Sequence, residues 1–555
     1  MLILTARKKC DETYPVCSSC RARNEQCCWR SAPSEKTIHS VDDALAVAPV
    51  GLRPSYSLDP DASKYNGFVD SSVTVVSRTH TSFPGDILRN RISPRPAEPQ
   101  DLLNDPSIND FFDSYYPWPQ NGPENKPLRG RDQMPYEYPM DEFLWSTPSV
   151  PPPLSPVPFL DPLGRSFINY FQSKVVNMVT VGMEKNNYLI HTYYKLMQQP
   201  AIAYALAAWG GYYLRGSADD DHVKFHLNQS LRCIKTFVSS RHTFDQHDNL
   251  LLLSFYMILL AIRVCTGDVH NWKVMHNKAR EVIVNAGGIE RFCNDLNRSN
   301  DIKFLLSSFQ YHDVMSSSCS KHGTVFSLDE YQKIFPDDDD VKLFGVDPLQ
   351  GCNQQVYLLL GELMSIKAQV YSTLHYLDVL ISEGARDNYH SLKMANMRFI
   401  EDKLSSIEPT LLSLRPNKIQ LDMTESEYEL HEMVCQLYIL VCRLYSCTYI
   451  KQIPPKSYEI QRLLVETTRY VDELIDTKMN IILCFPLLMC GISSVGKFDR
   501  EMMEMRFIRL APTPIANMNK ALAITKEAWK RNPNGDFVID WADICQEFNW
   551  EFSPC

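Results

Sequence analysis

Four cysteines stand among basic residues near the start of the sequence. Residues 7–29 read RKKCDETYPVCSSCRARNEQCCW, with Cys10, Cys17, Cys20 and Cys27 separated by six, two and six residues. Thiolates at short, regular spacing suggest zinc first, because zinc takes four ligands tetrahedrally and favours sulfur. Cys17 and Cys20 can grip one metal, and Cys10 and Cys27 lie symmetrically outside them. Arg7, Lys8, Lys9, Arg21 and Arg23 would then sit on a compact, metal-held knuckle suited to phosphate contact.

Other constellations are weaker. The run Asp337, Asp338, Asp339 and Asp340 is similar to the aspartate-rich magnesium motif of terpene cyclases, but Pro336 gives it a loop setting. The stretch NDLNRSND from Asn294 lacks the hydroxyl and acid spacing of the second cyclase motif, so a solvated acidic loop is expected. His222 and His226 have the i,i+4 spacing of a zinc pair, but Val223 occupies the position of a metalloprotease base. The preceding SADDDH reads as a loop and helix N-cap. Neither a Gly-rich phosphate loop nor a serine elbow is present, and the chain is not read as an enzyme.

The elements that must carry these residues follow from composition. Of 35 prolines, 22 lie in residues 31–165, which excludes a packed domain there. Residues 31–164 are therefore expected to be a mostly disordered linker. Within it, INDFFDSYYPWP and YEYPMDEFLW alternate acids with aromatics, a pattern that either keeps apolar side chains available to a partner's groove or packs them on the neighbouring domain. From residue 165 to 555 prolines thin out and apolar residues recur at three- and four-residue spacing, as in SFINYFQSKVVNMV, HVKFHLNQSLRCIKTFV and YEIQRLLVETTRYVDELI. This predicts one large all-α domain. The Gly287-Gly288 pair should stop the helix over HNKAREVIVNA.

The net charge is −10, yet residues 1–30 hold six Lys/Arg against three Asp/Glu; any polyanion binding is expected in that basic head. The apolar run LLLLSFYMILLAI, residues 250–262, falls short of the ~20 residues of a membrane span and reads as a buried helix. Only MLIL precedes the basic run, too little for a secretory signal. Isolated cysteines such as Cys233, Cys265, Cys442 and Cys490 are expected to be reduced, buried thiols of an intracellular protein.

The cysteine segment resembles the later part of the fungal binuclear zinc cluster transcription factors, RxKCDxxxPxCxxCxxxxxxC, including Asp11 and Pro15. The resemblance implies that Cys10, Cys17, Cys20 and Cys27 are the third to sixth ligands of a two-zinc cluster, with Cys17 bridging. It also implies that Arg7, Lys8 and Lys9 end the helix that reads CGG-like triplets of double-stranded DNA in the major groove. The first two ligands of the pattern belong seven and ten residues before Cys10. Position 3 is Ile, and the other position precedes Met1. Either the first zinc half is lost or the missing cysteines are encoded upstream. The retained basic run argues for the second.

The body resembles the second type of fungal-specific transcription factor domain. PAIAYALAAWGGYYL matches one of its helices. GDVHNWKVMHNKAREVIVNAGG matches at Trp272, His276, Ala279 and Gly287-Gly288, and FPLLMCGISSVGKFDREMM at Pro486, Gly491, Asp499 and Arg500. Physically, Trp272 and His276 form one helix stripe and are expected in the core. The resemblance implies a nuclear, zinc-dependent transcription regulator of a metabolic pathway, and the alternative is a helical regulator that no longer binds DNA. No sustained heptad seam follows Trp29, so the sequence leaves dimerisation open.

Overall fold

A computed structural model describes residues 157–181, 187–335, 346–382, 386–416, 424–511 and 516–555. The cysteine segment with its basic residues, the acidic-aromatic patches and the aspartate run lie outside the described residues. The described part is all-α, as the periodicity requires. Among the described residues no strand forms, and one antiparallel bridge joins Asp347 to Gly351.

The chain enters through α1 (Pro162–Tyr170), capped by Asp161, whose side chain accepts from the Gly164 amide at 2.6 Å. Pro at the first position suits this start, since its missing N–H has no partner to lose. A π-helical turn, Phe171–Val175, carries the chain on to Met178. After α2 (Tyr188–Leu196), α3 (Pro200–Arg215) runs through AAWGG and stops at Gly216, φ +72°. Helices α1 and α3 cross at backbone distance: a Cβ on Gly210 would collide with the Phe167 carbonyl, and one on Gly211 would stand 2.7 Å from the Phe167 ring. Glycine is needed there for space, and Gly216 for its conformation.

Helix α4 (Asp221–Ser239) packs on α3, and Asp220 caps it by accepting from the His222 and Val223 amides. Helix α5 (Gln246–Cys265) contains the long apolar run. It is longer than that run and could cross a membrane by length alone, but 83% of its apolar window is buried among other helices, so it is a core helix. Helix α6 (Trp272–Asn285) ends where expected, with Gly287 at φ +94° and Gly288 at φ +89°. Then follow α7 (Ile289–Asp295), α8 (Asn300–Ser317) and α9 (Leu328–Gln332).

Two long helices, α10 (Gln354–Ser382) and α11 (Arg386–Ser413), form an antiparallel hairpin whose buried seam includes Leu377, Leu380, Leu404, Ile407 and Leu411. Helix α12 (Glu425–Tyr445) continues into a second π-helical turn, Ser446–Ile450, and packs on α13 (Tyr458–Leu474). A 3-10 turn, Lys478–Ile482, leads to α14 (Cys484–Ser493), buried along its whole length. Pro486 occupies the first turn of α14, where its missing N–H breaks no helical bond. The remaining helices are α15 (Lys497–Leu510), α16 (Asn517–Arg531) and α17 (Trp541–Glu547).

Helix α8 is the hub. Nearly all its residues are buried, polar ones included, and several of its polar groups find specific partners. Asp301 accepts from Thr192 at 2.8 Å and from Lys195 at 2.7 Å, while Ser307 donates to Asp347 at 2.6 Å. Gln310 accepts from Gln350 at 2.8 Å. A buried polar group without such a partner costs roughly 1–3 kcal/mol, so these bonds fix how α8 sits against its neighbours.

Candidate functional site

The nine residues named for zinc and DNA in the basic head lie outside the described residues. The body motifs, by contrast, can be followed atom by atom. Each proves to hold helices together.

In the first motif, Trp272 donates its ring N–H to the Glu551 carbonyl, tying α6 to the segment after α17. One turn on, His276 is buried and stacks on Phe309 of α8, ring centroids 4.7 Å apart and nearly parallel. His276 Nε2 faces Asp313 Oδ1 at 3.5 Å. Asp313 also accepts from the Tyr331 hydroxyl at 2.6 Å and from the Val325 amide at 2.7 Å. Burial, aided by the charges of His312, Arg280 and Lys273, lowers the His276 pKa to about 3. Burial likewise raises Asp313 to about 7, against the opposing effect of its hydrogen bonds. A neutral imidazole beside a carboxyl that resists ionising is a structural junction of α6, α8 and α9. The core reading of Trp272 and His276 is correct, and Asp313 is the partner that the sequence pattern did not reveal.

In the second motif, Gly491 allows α16 to approach: a Cβ there would meet Thr525 Cγ2 at 2.7 Å. Its carbonyl accepts from Trp529 Nε1 at 2.6 Å. Arg500 donates to the Ser494 and Asn532 carbonyls, both at 3.0 Å, and its guanidinium lies over the Trp529 ring. Arg500 therefore closes the ends of α14 and α16 with a planar cation that is both stacked and hydrogen-bonded.

His222 and His226 do not form a metal pair. His226 is buried, its Nδ1 donates to the His222 carbonyl at 2.7 Å, and its Nε2 faces Asp161 at 3.4 Å. Among the described residues no group of three His, Cys, Asp or Glu side chains is placed to hold a metal ion. The twelve described cysteines, Cys233, Cys265, Cys442 and Cys490 among them, are free thiols, most of them buried.

A cavity of about 50 Å³ lies where α3, α5, α8 and the segment after α17 meet, lined chiefly by apolar groups such as Met257, Val264 and Phe304. It has room for a few waters or one small molecule. Trp209, His312 and Cys555 also line it. His312 Nδ1 lies 3.3 Å from Cys555 Sγ, a pairing that catalysis would use as thiolate and imidazolium. Burial pushes the Cys555 thiol far up and His312 down to about 4, so both are neutral and the pair is unsuited to nucleophilic attack.

Comparison with known proteins accords with this scaffold. Residues 166–555 match the family described as the fungal specific transcription factor domain. The chain is 22% identical over 567 residues to an uncharacterized transcriptional regulatory protein, C965.10, of Schizosaccharomyces pombe, covering all of this chain and 95% of that one. It is also 22% identical over 435 residues to the transcriptional activator protein UGA3 of Saccharomyces cerevisiae, covering 71% of this chain and 78% of the relative. No solved structure matches.

Proposed function

Because the chain belongs to the fungal specific transcription factor domain family, and is thus a transcription regulator, we propose that it is a zinc-dependent, sequence-specific regulator of RNA polymerase II genes. The observation that carries this reading is the conjunction of two features in one chain. One is the family body over residues 166–555, and the other is the basic cysteine segment at residues 7–29. Cys10, Cys17, Cys20 and Cys27 hold zinc, whose chemistry here is structural: it fixes a short chain that cannot bury a core of its own. Arg7, Lys8, Lys9, Arg21 and Arg23 face DNA, neutralising phosphates and reading guanine edges of CGG-like triplets.

The division of labour follows from composition. Residues 1–30 form the DNA-binding head, 31–164 the linker and 165–555 the regulatory body. The acidic-aromatic patches of the linker engage co-regulators. The protein works in the nucleus, on promoters of a metabolic pathway or biosynthetic gene cluster.

The test is fluorescence anisotropy with the full chain on CGG-containing and scrambled duplexes at moderate salt. With residues 1–555 alone, almost equal binding to both duplexes is expected; with a Cys-x-x-Cys-Arg segment placed upstream of Ala6, tighter binding to the triplet duplex is expected, lost in Cys17→Ser and weakened in Lys9→Ala. Equal affinity for both duplexes in the zinc-loaded protein that carries the added segment would overturn sequence-specific recognition.

A further inference from the structure

One group of side chains in the body serves neither the family motifs nor DNA binding. Cys319 follows the end of α8 and is half-buried, and Cys545 lies within α17 and is buried. Cys319 Sγ accepts from the Trp541 indole N–H at 3.1 Å and lies 3.6 Å from Ser318 Oγ, and Cys545 stands one turn after Trp541 on the same face of α17. The Lys367–Asp540 ion pair lies nearby, with its ammonium within electrostatic reach of Cys319. A second ion pair, Lys321 to Asp543 at 2.7 Å, fastens the loop that carries Cys319 to the helix that carries Cys545.

We propose that Cys319 and Cys545 are an oxidant-responsive dithiol, in which Cys319 reacts with a peroxide and Cys545 resolves the product into a disulfide. The chemistry of the two sulfurs is asymmetric. Burial raises the Cys319 pKa, but hydrogen bonds from Cys545, Ser318 and Trp541 and the Lys367 charge outweigh it, so the thiol falls below its ordinary value. Cys545 is pushed far up, by its hydrogen bond to Cys319 and by burial, and keeps its proton. A buried cysteine without such donors behaves otherwise: burial, with the Arg506 charge opposing it and the Asp472 charge adding to it, takes Cys490 up to about 12. Thiolate character together with partial access is what selects one cysteine for oxidation.

With hydrogen peroxide the steps balance. The Cys319 thiolate attacks one peroxide oxygen; the S–O bond forms, the O–O bond breaks, and hydroxide leaves and takes up the proton that Cys319 had released. The Cys545 sulfur then attacks Cys319; the S–S bond forms, the S–O bond breaks, and the departing hydroxide leaves as water with the Cys545 proton. Two thiols lose two electrons, and one peroxide becomes two waters. The disulfide joins the end of α8 to α17. The segment after α17 holds Glu551 against Trp272 and Cys555 against His312, so the modification acts on the contacts that seat that segment.

The experiment treats the full chain with hydrogen peroxide, then alkylates it under denaturing conditions and maps peptides without reduction. A cross-linked pair containing Cys319 and Cys545, reversed by dithiothreitol, is expected at doses that leave Cys442 and Cys490 alkylatable. Cys545→Ser should leave Cys319 as a sulfenic acid trapped by dimedone, and Cys319→Ser should abolish both products. Iodoacetamide should label Cys319 of the native protein at least about tenfold faster than Cys490. If a variant fails to fold, the cross-link map of the parent protein decides alone. An unreactive Cys319, or a Cys319 that pairs with another cysteine instead of Cys545, would overturn the proposal.

Discussion

The ammonium of Lys367 on α10 and the carboxylate of Asp540 at the start of α17, 173 residues apart in sequence, meet at 2.9 Å with both side chains buried. Asp540 also caps α17 by accepting from the Ala542 amide at 3.1 Å. Removing one partner leaves a charge in a medium that cannot solvate it, whereas removing both leaves none. Lys367→Met is therefore expected to cost about 3–5 kcal/mol. The double variant Lys367→Met, Asp540→Asn should recover part of that loss. Denaturant unfolding of the single and double variants measures the difference, and a double variant less stable than the single would contradict the pairing.

His431 gives the body a pH dependence of known sign. Burial lowers its pKa from 6.5 to about 4, so the folded protein holds it neutral while the unfolded chain protonates below pH 6.5. The stability it contributes is complete above pH 6.5 and is lost as pH falls toward 4, by about 1.4 kcal/mol per pH unit. His431→Leu should thus gain on the parent protein by that slope between pH 6.5 and 4. Asp313 carries the opposite sign: raised from 3.8 to about 7, it costs stability as pH rises through that window. Parallel stability–pH curves for parent and His431→Leu would refute the assignment.

Gly210→Ala tests the crossing of α1 and α3. The added methyl meets the Phe167 backbone, which cannot swing aside as a side chain would. A net destabilisation of about 1–3 kcal/mol is expected, although Ala is the better helix former by about 1 kcal/mol. Thermal unfolding reads this directly, and a more stable variant would show that the helices can separate at no cost.

Chelation should divide the molecule into its two activities. Among the described residues of the body no metal-holding cluster exists, whereas the proposed DNA-binding head depends on zinc. A strong chelator is expected to abolish DNA binding while the far-UV helical signal of the full chain changes little. Loss of most of that signal would place structural metal in the body.

Much of the body can be read from the sequence, because its physics is local. Three- and four-residue spacing of apolar groups requires helices, Gly287-Gly288 ends one of them, and Asp220 caps another. The burial of residues 250–262 follows from their composition. The cysteine spacing defines a metal hypothesis by itself, since ligand number and bite are properties of short segments.

Only the tertiary structure decides which distant groups share one place. His276 finds Asp313 because α6 packs on α8, and Lys367 finds Asp540 and Cys319 finds Cys545 because α10 and the end of α8 meet α17; no residue spacing encodes these meetings. The electrostatics follow from the same cause. A histidine or cysteine in the chain has an ordinary pKa, and it becomes a neutral core group or a reactive thiol only when packing removes water and supplies its neighbours.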